Sequence, residues 1–118
     1  MLLLLFSLVF GDGLERVNAQ EFNRLIQANP QAVVLDVRTP EEYAEGHLKS
    51  AQLIDFLAEG FQKNLEKLDK TKTYFVYCRS GGRSFKTLQL MRELGFKKVY
   101  ELESGISGWK LEGLPVEP

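Results

Sequence analysis

The stretch that most constrains this chain is Tyr74-Phe75-Val76-Tyr77-Cys78-Arg79-Ser80-Gly81-Gly82-Arg83-Ser84. In it an apolar run ends at the only cysteine among 118 residues and gives way to a glycine pair flanked by arginines. Thr73 to Tyr77 is β-branched and aromatic, which predicts a strand. Phe85 to Leu94 has helical spacing, with Phe85, Leu88, Met91 and Leu94 along the inward face. Cys78 therefore occupies a strand-to-helix turn. In an open α/β sheet such turns lie at the carboxyl ends of the strands, where the next helix aims its positive end and its unsatisfied N–H groups back at the turn.

Glycines take positive φ without steric cost, so Gly81 and Gly82 are expected to bring neighbouring N–H groups together into a nest for an anion. Arg79 and Arg83 add positive charge on either side. A thiol reacts as its thiolate, and a helix N-terminus, nearby cations and converging N–H donors all favour that form. A lone cysteine after an apolar strand is otherwise a small buried hydrophobe. The glycine pair and two arginines within five residues favour the reactive reading.

The remainder of the chain supplies a frame for that turn. Leu14 to Val17 suits a short edge strand, followed by an Asn18-Ala19-Gln20-Glu21 capping box ahead of Phe22, Leu25 and Ile26 at helical spacing. Asn29-Pro30 ends this helix. Ala32 to Val37 is almost continuously apolar, as a central parallel strand must be when both faces are covered. Thr39-Pro40-Glu41-Glu42 is a second capping box, with proline at the first helical position, and its helix stops by Gly46. Asp36, Arg38 and Glu42 thereby fall at the same sheet edge as Cys78. Ala51 to Ile54 predicts a third strand, and Asp55 a helix cap for a segment running to about Leu68, with Phe56, Leu57, Phe61, Leu65 and Leu68 inward. Lys98 to Leu102 predicts the last strand, beyond a helix closed by Gly95. Strands alternating with helices argue for one α/β domain with a parallel-type sheet.

Composition narrows the function classes. Fifteen basic residues against sixteen acidic ones give no nucleic-acid surface. One cysteine and one histidine argue against a disulfide framework and a structural metal site. A cysteine that must stay free suits a reducing compartment, so a cytoplasmic location is expected. His47, alone after a glycine, reads as a hydrogen-bonded structural residue more readily than as a base.

Residues 1–13 stand apart. Met1 to Phe10 is an apolar run closed by Gly11-Asp12-Gly13, too short to span a bilayer as a helix. It has the length of a signal-peptide core, and Val17-Asn18-Ala19 imitates a cleavage site, but no Lys or Arg precedes it. The readings are export, a weak membrane anchor, an oligomer contact, or a segment packed on its own domain. The catalytic domain is expected over residues 14–118.

Cys78-Arg79-Ser80-Gly81-Gly82-Arg83-Ser84 resembles the active-site loop of the rhodanese family, sulfurtransferases that carry sulfur as a cysteine persulfide. Asp36 to Leu48 resembles that family's first signature. Glu103-Ser104-Gly105-Ile106-Ser107-Gly108-Trp109 with Gly113-Leu114-Pro115-Val116 resembles its closing one, with Ser104 where a glycine is common. The likeness covers about residues 14 to 117. It implies a three-layer α/β fold, with a mostly parallel central sheet of about five strands flanked by helices. It also implies a Cys78 nucleophile whose sulfur and donor are held by Arg79, Ser80, Gly81, Gly82, Arg83 and Ser84. Asp36, Arg38, Glu42 and His47 are expected to support the loop, and Arg83 either binds substrate or ties the loop to Glu42 or Asp36. Trp109 reads as core or as a pocket wall.

The implied reaction moves sulfane sulfur from an anionic donor such as thiosulfate to a thiol, cyanide or protein acceptor, with no cofactor. The alternative within the family is a persulfide carrier serving a partner protein. Cysteine phosphatases place the phosphate-binding arginine six positions after the cysteine, whereas Arg83 follows Cys78 by five. The smaller ring suits a single terminal sulfur better than a tetrahedral oxyanion.

Overall fold

A computed structural model describes residues 12–118, so the apolar run at Met1 to Phe10 lies outside the described residues. The elements, in chain order, are β1 (Leu14–Val17), α1 (Ala19–Ala28), β2 (Val33–Asp36), α2 (Pro40–Ala44), β3 (Gln52–Leu53), α3 (Phe61–Glu66), β4 (Thr73–Tyr77), α4 (Gly82–Glu93), β5 (Lys98–Leu102) and α5 (Gly105–Leu111). The strands form one sheet in the order β1-β5-β4-β2-β3, and every pairing is parallel. This is the five-stranded, helix-flanked α/β architecture expected.

The alternation of β4 explains the three layers. Tyr74 and Val76 point to one side, where they meet Phe61 and Leu65 of α3 and Leu88 and Met91 of α4. Phe75 and Tyr77 point to the other, against Phe22 of α1 and Ile106 and Trp109 of α5. Both faces of the strand are thus buried, which is why it reads as an uninterrupted apolar run. Parallel strands put all their carboxyl ends on one edge, so the turns after β2 and β4 are neighbours. Val37 donates its N–H to the Tyr77 carbonyl at 3.0 Å, carrying the pairing one residue past the strands to the cysteine.

Two caps form much as the sequence predicts. The Thr39 side chain accepts from the Glu42 N–H, and Glu42 accepts in return from the Thr39 N–H at 3.0 Å. Asn18 caps α1 by accepting from the Glu21 N–H, but the Glu21 carboxylate turns to Arg24 at 2.6 Å, so only half of that box closes.

Three expectations need correction. Asp55 begins no helix: its carboxylate accepts from the Leu57 N–H two residues on, and α3 starts only at Phe61. Leu57 consequently lies 66 % exposed in the intervening turn rather than in the core. Phe85 also leaves the core face, lying at the surface under the Arg16 guanidinium with 4.5 Å between Cζ and the ring centroid. No helix among the described residues is long and apolar enough to cross a membrane.

Candidate active site

Cys78 follows β4 directly, and Gly81 precedes α4 with φ of +103°. That glycine is required twice over. An added Cβ there would lie 2.2 Å from the Glu103 carbonyl oxygen and 2.9 Å from Arg16 Nη2, and left-handed φ strains any larger residue. Gly82 corrects the expectation of a paired positive φ. It is the first residue of α4, and a Cβ there meets nothing within 4 Å.

The turn folds its donors onto the sulfur. The Gly81 N–H lies 3.2 Å from Cys78 Sγ and the Ser84 N–H 3.3 Å, while the Ser84 hydroxyl oxygen is also at 3.3 Å. The carbonyls of Cys78 and Arg79 face the other way, accepting from the N–H groups of Ile106 at 2.9 Å and Ser107 at 3.0 Å. Turning the carbonyls toward α5 leaves the N–H side of the loop for the thiol. Burial pushes the Cys78 thiol up. Hydrogen bonding to Ser84 and to the N–H groups of Gly81 and Ser80 outweighs it, holding the thiol below its ordinary value. As a residue Cys78 is 1 % exposed, so the sulfur lies at the base of the loop instead of projecting from it.

The surrounding charges divide into pairs. Arg83, in the first turn of α4, grips Glu42 with both guanidinium branches at 2.7 and 3.0 Å, and this bond holds the Glu42 carboxyl at about 2. Of the two partners foreseen for Arg83, Glu42 is the one it meets. Asp36 and Arg38 form a buried pair at 2.7 Å, and Arg38 also donates to the Gly46 carbonyl. Tyr77 donates its phenol to Asp36 at 2.6 Å and accepts from the Leu48 N–H. Burial first, and the Asp36 carboxylate second, push that phenol up, so it remains a protonated donor. This network braces the β2–β4 ends without touching the sulfur.

His47 stacks on Tyr43 with centroids 4.1 Å apart, and its backbone bonds with that of Glu117 in both directions, at 2.8 and 2.7 Å. It clasps the C-terminal segment to the α2 turn and makes no bond with the loop. Arg79 and Ser80 are exposed at the loop tip. Trp109 belongs to the core on the α1 face and lines a separate hollow of about 320 Å³ with Ile26 and Phe75.

Two residues at the site have no counterpart among those expected. Glu101 of β5 is fully buried, accepting from the Ser84 hydroxyl at 2.6 Å and from Arg16 Nε at 2.6 Å. Arg16 of β1 also donates to the Gly81 carbonyl at 3.0 Å. The available signal was a carboxylate between apolar neighbours, Val99, Tyr100 and Leu102, in a predicted strand, which demands a buried partner. Among the described residues no group of three or more His, Cys, Asp or Glu is placed to hold a metal ion.

Comparison with known proteins bears on the whole assembly. Residues 18–112 match the family model described as the Rhodanese-like domain. Thiosulfate sulfurtransferase 16, chloroplastic, of Arabidopsis thaliana is 37% identical over 93 residues, covering 70% of this chain and 78% of its own. Thiosulfate sulfurtransferase GlpE of Actinobacillus pleuropneumoniae is 33% identical over 89 residues, covering 75% of this chain and 81% of its own. Among solved structures, a rhodanese-related protein from Thermoplasma volcanium superposes with a TM-score of 0.77 at 30% identity, covering 87% of this chain and 97% of the other. The match runs through β2, the Cys78 loop and α5, and on these grounds the chain belongs to the rhodanese-like domain family.

Proposed function

We propose that the protein is a sulfurtransferase that takes sulfane sulfur from thiosulfate or a related anionic donor and passes it on through a Cys78 persulfide. The observation that carries this reading is the convergence of the Gly81 and Ser84 N–H groups on the sulfur of a cysteine at the N-terminus of α4. Family membership and relatives named as thiosulfate sulfurtransferases support it.

The chemistry follows from those donors. The Cys78 thiolate attacks the outer sulfur of thiosulfate, the bond between the two donor sulfurs breaks, and its electron pair leaves on sulfite. The new Cys78–sulfur bond carries an anionic outer sulfur, and the loop N–H groups offset its charge as an oxyanion hole does for oxygen. Cyanide, a thiol or a protein nucleophile then attacks that outer sulfur, and Cys78 departs as the thiolate. Two half-reactions sharing one enzyme intermediate give ping-pong kinetics. Exposed Arg79 draws in the anion, while Arg83, committed to Glu42, fixes the start of α4.

Intact mass before and after thiosulfate tests the proposal. The expected result is a gain of about one sulfur atom, reversed by cyanide and absent in Cys78→Ser, as covalent catalysis requires. An unchanged mass, or a gain that survives in Cys78→Ser, overturns it. A second reading, in which the protein is a persulfide carrier for a partner protein, is favoured by the 1 % exposure of Cys78, since a partner would then open the loop. Slow turnover of thiosulfate with rapid loading by a cysteine desulfurase selects the carrier.

A further inference from the structure

The Ser84 hydroxyl has one proton and two claimants. Its oxygen stands 3.3 Å from Cys78 Sγ and 2.6 Å from Glu101 Oε2. A carboxylate is acceptor-only, so the 2.6 Å contact takes the hydroxyl proton and turns a Ser84 lone pair toward the thiol. The thiol S–H can then donate to Ser84, but a thiolate receives no proton from it unless the hydroxyl lets go of Glu101. Arg16 keeps Glu101 in this posture from the far side, donating from Nε to Oε1 at 2.6 Å and from Nη2 to Oε2 at 3.3 Å. The register places Arg16 directly opposite Glu101 across the β1–β5 pairing.

We propose that Glu101 is a positioning residue that competes with the Cys78 sulfur for the Ser84 hydroxyl proton and so restrains ionisation of the thiol. The inference rests on the reading of Cys78 as the nucleophile. Its physical use is to keep the sulfur basic: a thiolate loses intrinsic nucleophilicity as its conjugate acid becomes stronger, with a Brønsted slope of about 0.4–0.5. The remaining charged groups around the loop are Arg16 of β1, Glu103 after β5, Arg83 of α4, Glu42 of α2, Asp36 of β2, and Arg79 in the loop itself. None of these carboxylates bonds Ser84, whose hydroxyl and N–H both meet the sulfur; Glu101 alone does.

The test is the pH dependence of Cys78 alkylation by iodoacetamide in the full chain, which reads thiolate formation without any sulfur donor. A failure of thiosulfate loading therefore leaves this measurement interpretable. In Glu101→Gln the amide donates to the Ser84 oxygen, and the hydroxyl is freed for the sulfur. The midpoint of the profile should fall by about one pH unit, a tenfold gain in thiolate at acidic pH, while the plateau rate drops roughly threefold. In a Ser84→Ala background the same substitution should shift the midpoint by less than half as much. A midpoint that stays or rises in Glu101→Gln overturns the proposal, because a merely structural Glu101 would cost the loop its donors when replaced. An equal fall with and without the Ser84 hydroxyl overturns it too, leaving charge alone as the cause. Should Glu101→Gln fail to fold, Ser84→Ala by itself decides: a hydroxyl held by Glu101 predicts a small shift, whereas a rise of a unit or more shows that it serves the thiolate fully.

Discussion

Gly105→Ala is the sharpest probe of how the loop holds its shape, because the change is remote from the sulfur in chemistry and adjacent to it in space. Gly105 opens α5 with φ of +65°, and a Cβ there would lie 2.1 Å from the Arg79 carbonyl oxygen, 2.3 Å from its carbon and 2.5 Å from the Ser80 nitrogen. Contacts below 3.0 Å are essentially never tolerated, so loop and helix must part by about 1 Å. The Gly81 and Ser84 N–H groups begin at 3.2 and 3.3 Å from the sulfur, and a displacement of that size breaks at least one of the two bonds. A hydrogen bond to a charged group contributes about 1.5–3 kcal/mol, or roughly one to two pKa units.

The alkylation midpoint of Gly105→Ala should therefore rise by one to two units, and the thiolate fraction near neutral pH should fall by about ten- to a hundredfold. Left-handed backbone at an alanine costs a further ~1–2 kcal/mol of stability, visible as a lower melting temperature. Gly82→Ala is the internal comparison, since its Cβ meets open space: it should keep the midpoint and gain up to about 1 kcal/mol from helix propensity. A Gly105→Ala protein that melts lower yet alkylates with an unchanged profile would refute the reasoning, because the loop donors would then not set the state of the thiol.

Two further outcomes follow from the charge pairs. Glu42 is held at about 2 by its bonds to Arg83, against an ordinary 4.5, so the pair stabilises the fold above pH 4.5 and this contribution is lost as pH falls toward 2. Urea titrations should show wild type losing on the order of 2 kcal/mol more than Glu42→Gln across that window, and parallel losses would contradict it. Arg79→Ala should raise KM for thiosulfate several-fold at low salt with kcat little changed, the difference shrinking at high ionic strength; steady-state kinetics at two salt concentrations decide this.

What the sequence revealed depended on the range of each signal. The Thr39 box and the Thr73–Tyr77 strand were legible because their partners lie within a few residues or on both faces of one element. Asp55 misled because an aspartate accepting from the N–H two residues on looks, in one dimension, like a helix cap. Phe85 fell on the predicted inward stripe, but it lies at the surface with its ring under Arg16, a residue from a strand 69 positions earlier in the chain. Arg16 and Glu101 escaped notice for the same reason. Their pairing exists only because β1 lies beside β5, and a sheet order cannot be read from either strand alone.

The pairing of charges also changes how the thiol is activated. Two arginines follow the cysteine within five residues and invite the view that their charge stabilises the thiolate, yet Arg83 is neutralised by Glu42 at 2.7 Å, Arg16 by Glu101 at 2.6 Å and Arg38 by Asp36 at 2.7 Å. Stabilisation of the sulfur is left to N–H dipoles in contact with it, which salt screens little at such range. Capture of the donor falls to exposed Arg79, where screening is strong. The two steps should therefore separate experimentally. Added salt should weaken loading by thiosulfate while leaving the alkylation midpoint in place, and a midpoint that climbs with salt would return the activation of Cys78 to the guanidinium charges.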